Sequence, residues 1–185
     1  DNRVFDVYRL NIHSGEMTMI AENPGNITGW MTDHAGRLRV AMATDGVNTS
    51  LLYRETENEP FKTILTTNFR DSLNPLLFSF DDTQLFVASN LKRDKLAIYE
   101  YDPKSARLGK LVFEHADVDV GGLLWSKKRK VLTGVSYVTD KVNISFFDDE
   151  RKNLQKELEA RLPDKEVSFV DRSKDETRWL IVTHG

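Results

Sequence analysis

The sequence contains no cysteine among its 185 residues. This absence excludes disulfides, thiolate catalysis and cysteine-bound metals, and it suits the cytosol and a periplasm equally well. No apolar run approaches the roughly 18 residues that a membrane-spanning helix needs, and the first residues lack the pattern of a signal peptide. The chain is therefore expected to have no membrane partner.

Neither sign of charge is in large excess, since 26 Lys and Arg oppose 29 Asp and Glu for a formal net charge of -3. This balance gives no electrostatic reason to expect a nucleic-acid partner. A glycine-rich phosphate loop is missing as well, because Gly121-Gly122 stands alone within a strand-like run and instead predicts a close approach of two backbones. No cofactor is expected.

Catalytic motifs are also missing from the sequence. It has no Gly-x-Ser-x-Gly elbow on which a serine nucleophile could be presented. The four histidines lie in unrelated contexts without the spacing of paired metal ligands, at His13, His34, His115 and His184. The sequence therefore assigns no catalytic, cofactor-binding or metal-binding residue, and we expect no catalysis from this chain alone.

The remaining candidates for chemistry are the pairs Asp81-Asp82 and Asp148-Asp149 and the basic run at 127–130. Two carboxylates about 5 to 10 Å apart could serve a glycosidase. Both pairs lie in predicted turns, where aspartate caps backbone N–H groups, and this structural use is favoured. The basic run occupies a turn position at which other repeats carry acidic residues, so a solvated turn is favoured over a nucleic-acid patch.

What the sequence does contain is a repeat near 46 residues. Short runs centred on an aromatic residue recur at Tyr8, Tyr53, Tyr99 and Phe146, at steps of 45, 46 and 47. A second series recurs at Leu38, Leu85, Val131 and Trp179, at steps of 47, 46 and 48. A period of this length is typical of propellers. The clearest period holds four short apolar or β-branched runs, the strand count of one blade, at 76–80, 85–89, 96–101 and 111–113.

The sequence therefore predicts an all-β fold over residues 1–185, a partial β-propeller of about four repeats of four-stranded antiparallel blades. In two periods an aspartate, Asp33 or Asp81, directly follows one of the strands. If that strand begins a blade, there are two complete blades and an altered third, with two strands before Ile27 and two after Pro163. Leucines spaced by four predict one amphipathic helix near 150–162, inserted where the last strand of a blade is expected, at Leu154, Leu158 and Leu162.

The chain begins without Met and stops after an apolar run, so we expect both ends to be cuts within a longer protein. Four repeats are fewer than most propeller rings need. An open arc with exposed strand edges is therefore expected, and these edges make a dimer possible.

Several strings also resemble one known family. They are Asp6-Val7-Tyr8-Arg9-Leu10 with Ser14-Gly15-Glu16, the run 24–30 with Asp33, Ser89-Asn90 with Arg93-Asp94-Lys95, the run 117–119 and the run 132–137. As a set they resemble the N-terminal propellers of bacterial prolyl-oligopeptidase-family serine peptidases of the dipeptidyl-aminopeptidase and acylaminoacyl-peptidase kind. Lys92 departs from the pattern, because glycine is expected there, so the backbone of this loop is expected to differ.

The resemblance implies that this chain is a non-catalytic propeller domain of a larger serine-type peptidase. The catalytic α/β-hydrolase domain, with its Ser, Asp and His, would lie outside this chain, in the bacterial cytoplasm or periplasm. The propeller would be a gate that admits only short peptides and contacts the hydrolase domain of the same protein. The loop residues Asn90, Arg93 and Asp94 are candidates for the rim or domain interface, with simple turn and ion-pair structure as the alternative.

Two other functions fit a propeller. A stand-alone scaffold would use the same repeats to bind a protein partner, and the parent sequence after Gly185 would distinguish it. A glycosidase or sugar-binding propeller would need acidic side chains that converge at the mouth of the channel. Fold alone does not separate these functions.

Overall fold

The computed structural model of the protein describes residues 4–185, which form fifteen β-strands and one α-helix. The strands lie in open antiparallel sheets in which every strand pairs with its neighbour in sequence. The chain divides into two compact units, with the boundary between Val112 and Phe113. Among the described residues, no helix has the length and apolar character needed to cross a membrane.

The first unit contains a two-stranded sheet and two four-stranded sheets. The two-stranded sheet consists of β1 (Val7–Leu10) and β2 (Met17–Ala21). The next sheet consists of β3 (Ile27–Thr32), β4 (Leu38–Thr44), β5 (Thr49–Tyr53) and β6 (Lys62–Thr67). The last consists of β7 (Leu73–Phe78), β8 (Leu85–Ser89), β9 (Ala97–Asp102) and β10 (Arg107–Phe113).

The second unit contains a three-stranded sheet, a helix and a two-stranded sheet. The three-stranded sheet consists of β11 (Val120–Ser126), β12 (Val131–Val138) and β13 (Val142–Phe146). The helix α1 (Asp149–Arg161) follows, and then β14 (Glu166–Arg172) and β15 (Trp179–His184). The N-cap of α1 is Asp148, whose side chain accepts a hydrogen bond from the backbone N–H of Arg151 at 2.8 Å.

The core of the first unit lies between its two four-stranded sheets. Strand β8 is buried along its whole length, because it is an inner strand with covered faces on both sides. The core cluster consists of Val40, Leu51, Tyr53, Leu73, Phe78, Leu85, Val87 and Tyr101. Full burial of an aliphatic or phenyl side chain contributes about 1.5–3 kcal/mol each, so this cluster is the main source of stability in the unit.

A buried arginine joins the two four-stranded sheets. Arg39 on β4 is only 3% exposed. Its Nη1 donates to the backbone oxygen of Asp82 at 2.8 Å, and its Nη2 donates to the Tyr53 hydroxyl. The guanidinium also lies 5.0 Å from the centroid of the Phe78 ring. Adjacent sheets are therefore held by a directional polar contact as well as by apolar packing.

In four of the sheets, the turn between the first and second strands contains one residue with a left-handed backbone conformation. These residues are Gly36, Asp82, Lys130 and Glu176, with φ of 78°, 58°, 54° and 56°, at steps of 46, 48 and 46 residues. Only the first is glycine, the residue that adopts this conformation without steric cost. The repeat seen in the sequence thus recurs in backbone geometry even where the residue type has changed.

The predicted all-β fold class with one helix is confirmed, and open sheets of this kind are consistent with a partial β-propeller. The predicted division of the strands into blades is also seen. Four-stranded sheets begin at Ile27 and Leu73, two strands precede Ile27, and two strands follow α1. Within residues 4–185 two sheets have four strands and one has three, which agrees with the predicted two blades and altered third. Helix α1 follows β13 at the point where the fourth strand of the third sheet was expected.

Some details differ from the sequence-based expectation, among them the start of β10 at Arg107 rather than 111. Strand β7 begins at Leu73 rather than 76 and includes Pro75, which pairs with Val87. Because β7 is an edge strand, the missing N–H of proline costs no hydrogen bond on its open side. In α1 the buried residues are Arg151 and Gln155, while the predicted leucine stripe is half-buried.

Candidate functional site

Three loops lie at one end of the four-stranded sheets in the first unit. They are the β4–β5 turn at 45–48, the β6–β7 connection at 68–72 and the β8–β9 loop at 90–95, and we call them the rim. Because strand direction alternates along each antiparallel sheet, every second connection falls at the same end. Hydrogen bonds between residues 72 and 90 join two of these loops directly. The rim contains all three loop residues singled out from the sequence.

Asn90 links two loops of the rim. Its Oδ1 accepts hydrogen bonds from the backbone N–H of Ser72 at 2.7 Å and from the Ser72 hydroxyl at 3.3 Å. Its Nδ2 donates to the backbone oxygen of Arg70 at 3.0 Å. The side chain therefore holds the β6–β7 connection against the β8–β9 loop, and its amide is engaged within the protein.

The polar group of Arg93 is turned towards the protein, whereas that of Asp94 is turned towards solvent. Nη1 of Arg93 donates to the Tyr99 hydroxyl at 3.0 Å, so this half-buried guanidinium lies back against β9. The Asp94 side chain is 88% exposed and lies 3.2 Å from Nζ of Lys95. Of the three residues proposed from the sequence, Asp94 is the one that presents its functional group to solvent.

The loop backbone near Arg93 has the geometry that suits glycine. Lys92 has φ of 61°, in the left-handed region. The sequence-based expectation was that lysine at this position would change the loop backbone. The left-handed conformation is present with lysine in place, at a steric cost of about 1–2 kcal/mol.

The sequence reasoning did not identify two exposed apolar side chains of the rim, Val47 and Phe69, which are 68% and 78% exposed. Phe69 lies in a connection whose other residues are polar, and the guanidinium of Arg70 lies 5.4 Å from its ring centroid. A lone aromatic among turn residues is the signal that could have pointed to it. Exposed aromatic residues are enriched where proteins contact one another.

One carboxylate of each acidic pair acts as a cap, whereas Asp82 contacts His34 and Asp149 is the first residue of α1. Asp81 accepts hydrogen bonds from the hydroxyls of Ser79 at 2.6 Å and Thr83 at 2.8 Å, which lower the pKa of its carboxyl group. Asp148 caps α1, and its hydrogen bonds with Arg129 lower its pKa. Both carboxylates are therefore held ionised by local partners, as predicted for turns, rather than tuned for proton transfer.

No constellation for metal chemistry is present in the part of the chain from residue 4 to 185. Within that range no group of three or more His, Asp or Glu side chains is arranged to hold a metal ion. The histidine His34 contacts Asp82, and the ring of His115 lies tilted against that of Tyr137 with centroids 4.6 Å apart.

Comparison with known proteins relates these sheets to a peptidase. No family model matches the chain. The chain is 25% identical to dipeptidyl aminopeptidase BIII of Pseudoxanthomonas mexicana over 195 residues, which cover 98% of this chain and 26% of that protein. This distant similarity supports a relationship to the prolyl oligopeptidase family of peptidases. The chain spans about a quarter of the length of that relative.

Proposed function

We propose that this chain is a non-catalytic propeller domain of a prolyl-oligopeptidase-family serine peptidase. It would gate the access of short peptides to a C-terminal α/β-hydrolase domain outside this chain. The observation that carries the proposal is the similarity to a dipeptidyl aminopeptidase over 98% of the chain. The absence of a Gly-x-Ser-x-Gly motif from the sequence agrees with a domain that does not supply the nucleophile.

The architecture suits a gate for a physical reason. Four-stranded antiparallel sheets with buried inner strands are rigid, and their loops are the parts free to vary and to contact a ligand or a neighbouring domain. A rigid wall can exclude folded proteins by size while short peptides pass. We assign the rim as the side that faces the hydrolase domain, because the exposed aromatic side chain of Phe69 lies there beside the candidate loop of Asn90, Arg93 and Asp94.

The first experiment measures hydrolysis of chromogenic dipeptide substrates by this chain. We expect no turnover above the rate without protein. Addition of the remainder of the parent peptidase should then restore hydrolysis of the dipeptide substrate. Turnover by the chain alone would overturn the non-catalytic assignment, and a parent gene without a hydrolase segment would favour the stand-alone scaffold.

The second experiment tests the rim in the full-length parent enzyme. Phe69→Asp should weaken the contact between the two domains and increase cleavage of a long unfolded polypeptide relative to a dipeptide substrate. The matched control is Ile12→Asp, which changes an equally exposed apolar residue in the β1–β2 turn at the opposite end of the sheets. If both variants shift the ratio equally, the rim assignment is wrong.

A further inference from the structure

The second unit contains a cleft of about 560 Å³. Its walls come from β11 and the turn after it, from the first turns of α1, from β14 and from the start of β15. This volume falls within the range of roughly 300–1,000 Å³ that is usual for small-molecule sites. The cleft lies wholly within one compact unit, and the proposed function does not use it.

A buried arginine without a counter-ion lines this cleft. Arg151 is only 5% exposed. Its Nη1 donates to Oε1 of Gln155 at 3.3 Å, whereas Nε and Nη2 have no hydrogen-bond acceptor among residues 4–185. In the same range no carboxylate forms an ion pair with it. Burial, together with the nearby charge of Arg172, lowers the pKa of Arg151 to about 10, although the charge of Glu159 opposes this shift. A buried cation of this kind is costly unless an anion joins it.

Aromatic rings form the rest of the wall. The guanidinium of Arg151 lies 3.6 Å from the ring centroid of Phe169 and 5.6 Å from that of Trp179. The guanidinium of Arg172 lies 5.3 Å from Trp179 and 5.7 Å from Trp125. Two cations are thus placed against one tryptophan ring. Flat apolar surface and charged donors occur side by side in the cleft.

The charge of the lining is opposite to that of the whole chain. Five cationic side chains line the cleft, namely Lys127, Arg129, Arg151, Arg172 and Lys174. Three acidic ones do so, namely Glu150, Asp171 and Glu176, and the chain as a whole has a net charge of -3. Glu176 accepts hydrogen bonds from the Ser126 hydroxyl at 2.6 Å and the Lys127 backbone at 2.9 Å, and its Oε1 also lies 3.2 Å from Nε of Arg172. Arg129 is paired with Asp148, so Arg151 is the buried cation of the lining that has no carboxylate in an ion pair with it among residues 4–185.

We propose that this cleft binds a small organic anion that carries an aromatic group. The anionic group pairs with the unused N–H donors of Arg151 and is supported by Arg172, and its ring packs against Trp125, Trp179 and Phe169. A carboxylate and a phosphate share this chemistry, since the guanidinium fork fits both. The inference goes beyond the proposed function, and its test needs no peptidase activity.

The binding test uses tryptophan fluorescence of the complete chain. Two of its three tryptophans line the cleft, and Trp30→Phe removes the third from the signal. The probes are N-acetyl-L-phenylalanine, phenyl phosphate and, as the uncharged control, N-acetyl-L-phenylalanine amide. We expect at least one charged probe to bind with a Kd at least tenfold below that of the amide. Equal binding of all three probes, or no binding, would overturn the proposal.

The matching variants separate binding from packing. Arg151→Met keeps the length of the side chain against the rings and removes the charge, so it should raise the Kd at least tenfold without lowering Tm. Arg161→Gln removes a charge from the exposed end of α1, outside the lining, and should leave the Kd unchanged. If Arg151→Met does not fold by circular dichroism, Arg172→Gln decides, with the same tenfold loss expected. An unchanged Kd in the deciding variant would show that the arginines only pack.

Discussion

Nδ1 of His34 lies 2.6 Å from Oδ1 of Asp82, so the turn after β3 contacts the turn after β7, 48 residues later. The same Oδ1 accepts a hydrogen bond from the backbone N–H of His34 at 3.1 Å. A corresponding contact occurs in the second unit, where Glu176 accepts from the backbone of Lys127. In each unit, a residue in a left-handed turn joins two successive sheets.

Substitution of Asp82 should therefore destabilise the first unit. Asp82→Ala removes the carboxylate oxygen that makes both contacts with His34, while the left-handed backbone at position 82 must still be adopted. We expect the free energy of unfolding to fall by about 2 kcal/mol, measured by urea denaturation. Asp94→Ala, at an exposed carboxylate, should change it by less than about 0.5 kcal/mol. Equal losses in the two variants would contradict the role of this contact.

Lys92→Gly should increase stability. The left-handed φ of 61° costs lysine more than it costs glycine, although glycine also loses more chain entropy on folding. The net gain expected in the free energy of unfolding is about 0.5–1 kcal/mol. Lys95→Gly in the same loop, where φ is not positive, should destabilise instead. A loss of stability in Lys92→Gly would mean that the loop does not hold this conformation.

Gly134 should not tolerate a side chain. A Cβ at this position on the central strand β12 would lie 2.6 Å from the backbone oxygen of Ser145 on β13. Gly134→Ala must push the two strands apart, and we expect a loss of about 2–3 kcal/mol in the free energy of unfolding. The matched control is Gly121→Ala, since a Cβ there meets open space. Similar denaturation midpoints for the two variants would contradict the close approach.

The two core tyrosines should respond in opposite ways to loss of the hydroxyl. The Tyr53 hydroxyl contacts Arg39 and donates to Glu55 at 2.6 Å, whereas the buried Tyr101 hydroxyl has no hydrogen-bond partner among residues 4–185. Tyr53→Phe should lower the free energy of unfolding by about 1–2 kcal/mol. Tyr101→Phe should leave it unchanged or raise it by up to about 1 kcal/mol, because an unsatisfied buried group is costly.

These tyrosines also predict the response to base. Burial raises the pKa of Tyr53 and of Tyr101 from 10.0 to about 12. Because the folded state favours the neutral hydroxyl, each tyrosine leaves the folded state fully stable below pH 10, and stability is lost as pH rises from 10 towards 12. The free energy of unfolding should fall across this window, and less steeply in Tyr101→Phe. Parallel pH profiles for this variant and the native chain would contradict the assignment.

Much of the fold could be predicted because its signals are local. The repeat of apolar runs predicted the order of the strands, and turn aspartates such as Asp33 indicated which strand begins each sheet. The three-stranded sheet could be anticipated only as an altered blade, from the helix pattern after Phe147. Strand β7 was predicted at 76–80 but spans Leu73–Phe78, and its tolerance of Pro75 follows from an edge position that depends on the sheet as a whole.

The candidate sites were harder to predict because they depend on contacts between distant residues. In α1 the leucines suggested the buried face, yet Arg151 is more buried because Phe169 and Trp179 lie against it. Those aromatics follow the helix in sequence and reach it only through the pairing of β14 with β15. The exposure of Phe69 likewise follows from the position of its loop rather than from its residue type.

The pairing of every strand with its neighbour in sequence also bears on how the chain reaches its native state. Each hairpin closes a short loop, so the entropy lost before the first stabilising contact forms is small. One repeat of about 46 residues can therefore assemble while later residues are still being synthesised, and each finished sheet offers a surface on which the next one condenses. We therefore expect assembly to proceed from the N-terminus in steps of one repeat.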